Sequence, residues 1–126
     1  MQKGESDNYY TKLIATALAV DGSTIATTDL TFETGLDLRN CMPVFAIIKF
    51  ASGTLGIAIG RIKVDGVNIS QAITMSGLVA NFNIVVNCAL DQAITNDSTK
   101  FIQFTVATAS LAASSFDVYV YGIQFK

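Results

Sequence analysis

The chain has 126 residues, 51% of them hydrophobic and only 14% charged, with a net charge of −2. That length suits one domain with a sizeable core and no need of staples. An ordinary soluble domain carries about 25% charged residues, so either much of the surface is uncharged Thr, Ser and Asn or another chain covers part of it. Lys and Arg are not clustered, and a nucleic-acid footprint needs such clusters to displace counterions from phosphates. Histidine is absent, which removes Ser-His-Asp and Cys-His catalysis, the commonest zinc sites and the usual pH switch.

The N-terminus, MQKGESDNYY, has no apolar core of signal-peptide length behind it, so no export signal is expected. Met1 to Asn8 is polar and reads as an extended arm, residues 1–8, ahead of a single domain, residues 9–126. Tyr9 and Tyr10 open an apolar segment that runs to Val20. Leu13, Ala15, Ala17 and Ala19 alternate, while Ile14 with Leu18 and Leu13 with Ala17 also fit helical spacing. The turn signal Asp21, Gly22, Ser23 decides for a strand. Thr24, Thr27, Thr28 and Thr31 continue in strand-forming residues. Glu33 to Met42 reads as a loop or short edge segment. Pro43, the only proline, lacks an N–H for a ladder and is expected at the start of the next strand.

Val44 to Ala51 is apolar on both phases, as in a central strand covered on both sides. After the turn at Ser52, Gly53 and Thr54 comes the clearest local signal in the chain. Asp65 and Gly66 stand between two alternating runs, and a two-residue type I′ turn needs positive φ at both central positions. Beyond the turn Val67, Ile69, Ile73 and Met75 share one phase, against Asn68, Ser70, Thr74 and Ser76, with Gln71 as the exception. Before it, Leu55, Ile57 and Ile59 are out of phase with Ile62 and Val64; a β-bulge near Gly60 would put all five on one face, and the alternative is a strand that crosses from one packing environment to another.

Leu78 to Leu90 alternates again, with Leu78, Ala80, Phe82, Ile84, Val86, Cys88 and Leu90 inward and Asn81, Asn83 and Asn87 outward. Gly66 to Leu90 lacks any charge but is broken by polar residues throughout, so it is not a bilayer-spanning helix. Asp91 to Lys100 is polar and turn-rich, a long surface loop. Asp91, Asn96 and Asp97 there have the oxygens calcium prefers, though solvated turn residues explain them as well, and no metal site is expected. Lys100 to Ala109 is a strand with Ile102, Phe104 and Val106 inward. Ser110 to Ser115 connects it to Phe116 to Phe125, where both phases are again apolar. Cys41 and Cys88 match no metal or redox spacing, and Cys88 reads as a small buried thiol.

About eight short strands separated by turn signals make an all-β, antiparallel β-sandwich the expected fold, jelly-roll-like. Pattern alone leaves immunoglobulin-like topology and a closed barrel open. No catalytic constellation, phosphate loop or dinucleotide fingerprint occurs, so no enzyme and no cofactor is expected. Aromatic surface is what remains. Tyr9, Tyr10, Tyr119, Tyr121 and Phe125 are the candidate contact residues, because tyrosine combines a rigid face with a polar tip. Ordinary rim tyrosines are the plain alternative.

In the order of its features the chain resembles small β-sandwich structural proteins of tailed bacteriophages. The resemblance lies in the Thr/Ala-rich opening LIATALAVDGSTIATTDLTF, the Gly35-Leu36-Asp37-Leu38-Arg39-Asn40 segment and the apolar strand Val44 to Phe50. It extends to the Ser52 to Leu55 turn and the closing strand Val118 to Ile123. It implies a non-enzymatic virion component, such as a capsid decoration or cement protein, made in the host cytoplasm and located in the virion. The implied partner is the major capsid protein or another virion protein, with a homo-oligomer, a trimer foremost. Neither nucleic acid nor membrane is an expected partner. The other expectation is a carbohydrate-binding module or receptor-binding tail protein that uses exposed tyrosines with Asn81, Asn83 and Asn87.

Overall fold

The computed structural model describes residues 11–34, 41–53, 58–75, 83–88, 101–109 and 114–124. They form ten strands: β1 (Lys12–Asp21), β2 (Ala26–Asp29), β3 (Thr31–Phe32), β4 (Cys41–Gly53), β5 (Ile59–Val64), β6 (Val67–Asn68), β7 (Ile73–Thr74), β8 (Asn83–Asn87), β9 (Ile102–Thr108) and β10 (Ser114–Gln124). One sheet runs β3-β1-β10-β4-β8 and the other β2-β9-β5-β6, with β7 also paired to β5. Every pairing is antiparallel.

The connectivity is that of a jelly roll. Partners nest around the Asp65–Gly66 turn: β5 with β6 and β7, then β4 with β8, β2 with β9, and β1 with β10. Rolling this long hairpin over brings β10 beside β4 and β9 beside β5, which closes the two sheets of a double Greek key. The turn has the expected geometry, with φ of 49° at Asp65 and 82° at Gly66, and Val64 pairs directly with Val67.

Ten strands replace the expected eight or so for two reasons. The Thr-rich run is divided at Leu30, which is 2% exposed and donates its N–H to the Ile102 carbonyl. The chain there crosses from one sheet to the other. The strand after the hairpin is also divided. Ser70 Oγ accepts the Ile62 N–H at 2.9 Å and donates to the Gln71 carbonyl, so a side chain takes the place of a ladder carbonyl. Ile69 and Ser70 are consequently both buried, and Val67, expected inward, is 54% exposed.

The bulge expected in this arm is not there: β5 alternates regularly, with Ile59 on the outer phase, and the irregularity near Gly60 belongs to the partner strand. Ile59 pairs with Thr108 and Gly60 with Val106, so β9 carries the insertion at Ala107. Gly60, Ile62 and Val64 form the inward set of β5, continuing from buried Ala58 just before it, and Ile59 is only half-buried. Pro43 lies inside β4 rather than at its start. It pairs with Gly122 beside the register shift that inserts Val44, and a bulge tolerates the missing N–H. In β1, the shift between Ala17 and Val20 leaves Ala19 at φ 54°, with its N–H donated to Asp117 Oδ1. The following turn is tied by Asp21, which accepts from Ser23 Oγ, the Ser23 N–H and Thr24 Oγ1. These bonds hold its carboxyl below the usual range. The arm at residues 1–8 and the loop from Asp91 to Lys100 lie outside the described residues.

The core between the sheets is aliphatic around two large rings, Phe104 and Phe116. Each ring rests on a glycine of the neighbouring backbone: a Cβ at Gly60 would overlap Phe104, and one at Gly22 would overlap Phe116. Gly60→Ala is therefore expected to destabilise the fold by about 1–3 kcal/mol through overpacking; an unchanged denaturation midpoint would mean the ring has room to move aside. Ser114 makes the opposite case. Its buried Oγ has no hydrogen-bond partner among the described residues, and an unsatisfied buried hydroxyl is a cost. Ser114→Ala should be neutral or stabilising by about 1 kcal/mol in urea titration, and a clear loss of stability would contradict this.

Candidate interaction surface

The two outer faces of the sandwich differ in chemistry. On the β2-β9-β5 face, the residues that alternate with the core are Thr27, Asp29, Gln103, Thr105, Arg61 and Lys63, with the half-buried Ile59 at one end. Four of them bond to one another: Thr27 Oγ1 with Thr105 Oγ1 at 2.9 Å, and Gln103 Nε2 to Asp29 Oδ1 at 2.9 Å. Gln103 Oε1 also accepts the Gly66 N–H at 3.0 Å. This face is predominantly polar.

The outer face of the other sheet is apolar and aromatic. Strand registers align its side chains in rows across the sheet. One row runs Thr16, Tyr119, Ile47, Val85, and the next Leu13, Tyr121, Phe45, Asn87. Tyr121 and Phe45 stack face to face, with ring centroids 5.0 Å apart and planes 7° from parallel. Met42 and Ile123 extend the same face toward one end. Toward the other, Lys49 stands opposite Asp117 and Asn83, so the face carries opposite charges at its rim. Tyr119, Tyr121, Phe45 and Ile47 are all half-buried, and Val85 is 63% exposed.

Of the candidate contact residues, Tyr119 and Tyr121 thus sit side by side on one outward face. Tyr9, Tyr10 and Phe125 lie outside the described residues, as do Asn81 and the calcium-type oxygens of Asp91, Asn96 and Asp97. Sequence reasoning missed Phe45 and Ile47 as neighbours of the tyrosines. A signal for them existed. Val44 to Ala51 and Phe116 to Phe125 are the two segments apolar on both phases, and two such strands placed together share one uncovered apolar face. The expectation that β4 is covered on both sides is replaced by this arrangement: its inner side packs in the core, and its outer side forms the patch.

Among the described residues, no three His, Cys, Asp or Glu side chains come together in a way that could hold a metal ion, and no helix is long and apolar enough to cross a membrane. Two open clefts flank β8. One, about 450 Å³, is lined by Arg61, Asn68, Ile69, Ser70, Gln71, Asn87 and Cys88; the other, about 320 Å³, by Gln71, Val85, Val86 and Asn87.

Cys41 and Cys88 are both buried thiols rather than a disulfide. Burial pushes the Cys88 thiol up to about 11, since a low-dielectric site disfavours the thiolate. A pKa raised on folding contributes stability that is complete below the unfolded value and is lost as pH climbs through the folded one. Between pH 9.0 and about 11, the wild-type chain should therefore lose more stability in urea titrations than Cys88→Ala does. Equal losses would show that the thiol ionises as freely in the fold as outside it.

No protein-family model, curated protein or solved structure matches the chain.

Proposed function

We propose that this chain is a non-enzymatic virion structural protein of the capsid decoration or cement type. It binds a capsid lattice, through the major capsid protein or another virion protein, with the apolar outer face of the β1-β10-β4-β8 sheet. The observation that carries this reading is the contrast between the two outer faces. One is predominantly polar, while the other displays Tyr119, Tyr121, Phe45, Ile47 and Val85 on adjacent strands. A contiguous apolar patch with aromatic side chains and a polar rim is the ordinary composition of a protein-binding surface. Jelly rolls recur in viral capsid domains, which supports the reading by association. In this reading the chain is made in the host cytoplasm and ends in the virion. The polar arm, residues 1–8, with Tyr9, Tyr10 and Phe125, supplements the face, and copies associate on the particle.

A second reading is a carbohydrate-binding module or receptor-binding tail protein. What favours it is the placement of Asn83 and Asn87 on the same face as Tyr119 and Tyr121, since sugars are held by a flat ring and by amide hydrogen bonds. Jelly rolls also occur among lectins.

The test is co-sedimentation with capsids stripped of the protein. Ile47→Ser combined with Tyr119→Ser is expected to weaken binding at least about tenfold, or ~1.4 kcal/mol. Lys63→Ser on the opposite face should leave it unchanged. Equal binding by all three proteins would rule the face out as the attachment surface. Specific glycan-array binding that is lost in Tyr119→Ser would favour the second reading instead.

A further inference from the structure

We infer that β8 is a self-pairing edge: two copies of this chain join β8 against β8, antiparallel, about a two-fold axis at Val85. The inference rests on the backbone of the edge strand, while the side chain of Val85 also belongs to the outer face used above.

The hydrogen-bonding phase of β8 is set by its inner side. Cys88 N–H donates to the Val44 carbonyl at 2.9 Å. Along an antiparallel strand successive residues direct their N–H and C=O to opposite sides, so Val86 and Ile84 also bond toward β4. The backbone groups of Asn83, Val85 and Asn87 therefore point away from the sheet. Among the described residues, β4 is the only sheet neighbour of β8. Val85, Val86 and Asn87, with Gln71, line the open cleft of about 320 Å³ along this edge.

A two-fold through Val85 matches that phase. Val85 meets Val85 of the second copy as a doubly hydrogen-bonded pair, and Asn83 meets Asn87 in each direction. An axis midway between two residues would oppose groups already committed to β4, and one at Ile84 or Val86 keeps the hydrogen-bonding phase but loses the pairing of Asn83 with Asn87. The side chains agree with the same register. Asn-Ile-Val-Val-Asn has the same pattern in both directions, amide at each end and β-branched between, as an isologous contact requires. The two amides can hydrogen-bond across the strands. On the inner side, the half-buried Ile84 and Val86 are opposed and covered. On the outer side, Val85 stands in the row of Ile47 and Tyr119, and pairing carries that row across the axis.

The other described edges do not offer this. β3, β6 and β7 are two residues each, and the four residues of β2 include Asp29, held by Gln103. Edge strands that stay single are blunted by charge, proline, bulges or shortness. β8 has no charge and no proline, and its ladder to β4 is regular over all five residues.

Five residues make a small contact, so the association depends on concentration and is read across a dilution series. Light scattering should give twice the 13.4 kDa chain mass at high concentration and fall toward 13.4 kDa on dilution. Val85→Lys, which sets like charges opposite each other on the axis, should stay at the single-chain mass with an unchanged far-UV circular dichroism spectrum. Amide exchange on the wild-type chain tests the geometry without any variant. The Val85 amide should gain at least about tenfold protection from low to high concentration, while Ile84 and Val86 stay protected throughout. A trimer, a monomer at every concentration, or an oligomer whose Val85 amide gains no protection would overturn the inference.

Discussion

The whole molecule depends on one nesting relation. Each strand pair closes around the pair inside it, and the innermost is the hairpin at Asp65 and Gly66. Its two positive φ angles, 49° and 82°, give the turn a twist that matches the strands it joins. From there partners lie ever farther apart in sequence, until Lys12 faces Gly122. Long-range pairing of this kind gains its contacts only after the closure entropy of long loops has been met. The fold therefore rests on the few places where the register is pinned. Gly60 under Phe104 and Gly22 under Phe116 are two such places, because each ring fits only against bare backbone. Pinning matters here because a slip of one residue in any pair would turn the buried side chains outward.

Much of the fold was legible because most strands keep a period of two. Ile102, Phe104 and Val106 alternate without exception and are all buried. Ile84, Val86 and Cys88 also face inward as expected. What failed was continuity. A hydroxyl that replaces a carbonyl, as Ser70 does for Ile62, looks in the sequence like an ordinary polar position. The apolar pattern before the hairpin changes phase and points to a bulge in β5, yet β5 alternates regularly, Ile59 lies on its outer phase, and the extra residue nearby, Ala107, belongs to β9. A change of phase marks an apolar residue on the outer face as readily as a shifted strand. Leu30 buries itself where the chain changes sheets, and neighbouring Thr residues give no hint of the crossing.

The candidate site was legible only in part, for a related reason. Tyr119 and Tyr121 stood out by residue type alone. Their companions Phe45 and Ile47 belong to a strand far earlier in the chain, and no local pattern records lateral neighbours. Apolar residues on both phases of a strand do carry information, however: such a strand needs cover on two sides. In a two-layer sandwich only one of those sides is supplied by the chain itself. For β4 and β10, the inner side is met by the core and the outer side by the stack of Tyr121 on Phe45. That stack hides part of each ring and leaves the rest of the row open.

The scarcity of charge follows from the same division. The polar face fixes Arg61, Lys63 and Asp29 on its own side of the sandwich, beside neutral Thr and Gln partners. The apolar face keeps Lys49 and Asp117 directly opposite each other on adjacent strands, so their fields largely cancel at a distance. A partner approaching this face meets little net charge to steer it and little to repel it. Recognition then depends on matching shape and removing water from Tyr119, Ile47 and Val85. Such a surface suits recognition by shape better than a transient encounter that relies on electrostatic attraction. The uncharged edge at β8 extends the same principle from the face to the rim. In both places binding groups are exposed without the charges that would ordinarily keep neighbouring chains apart.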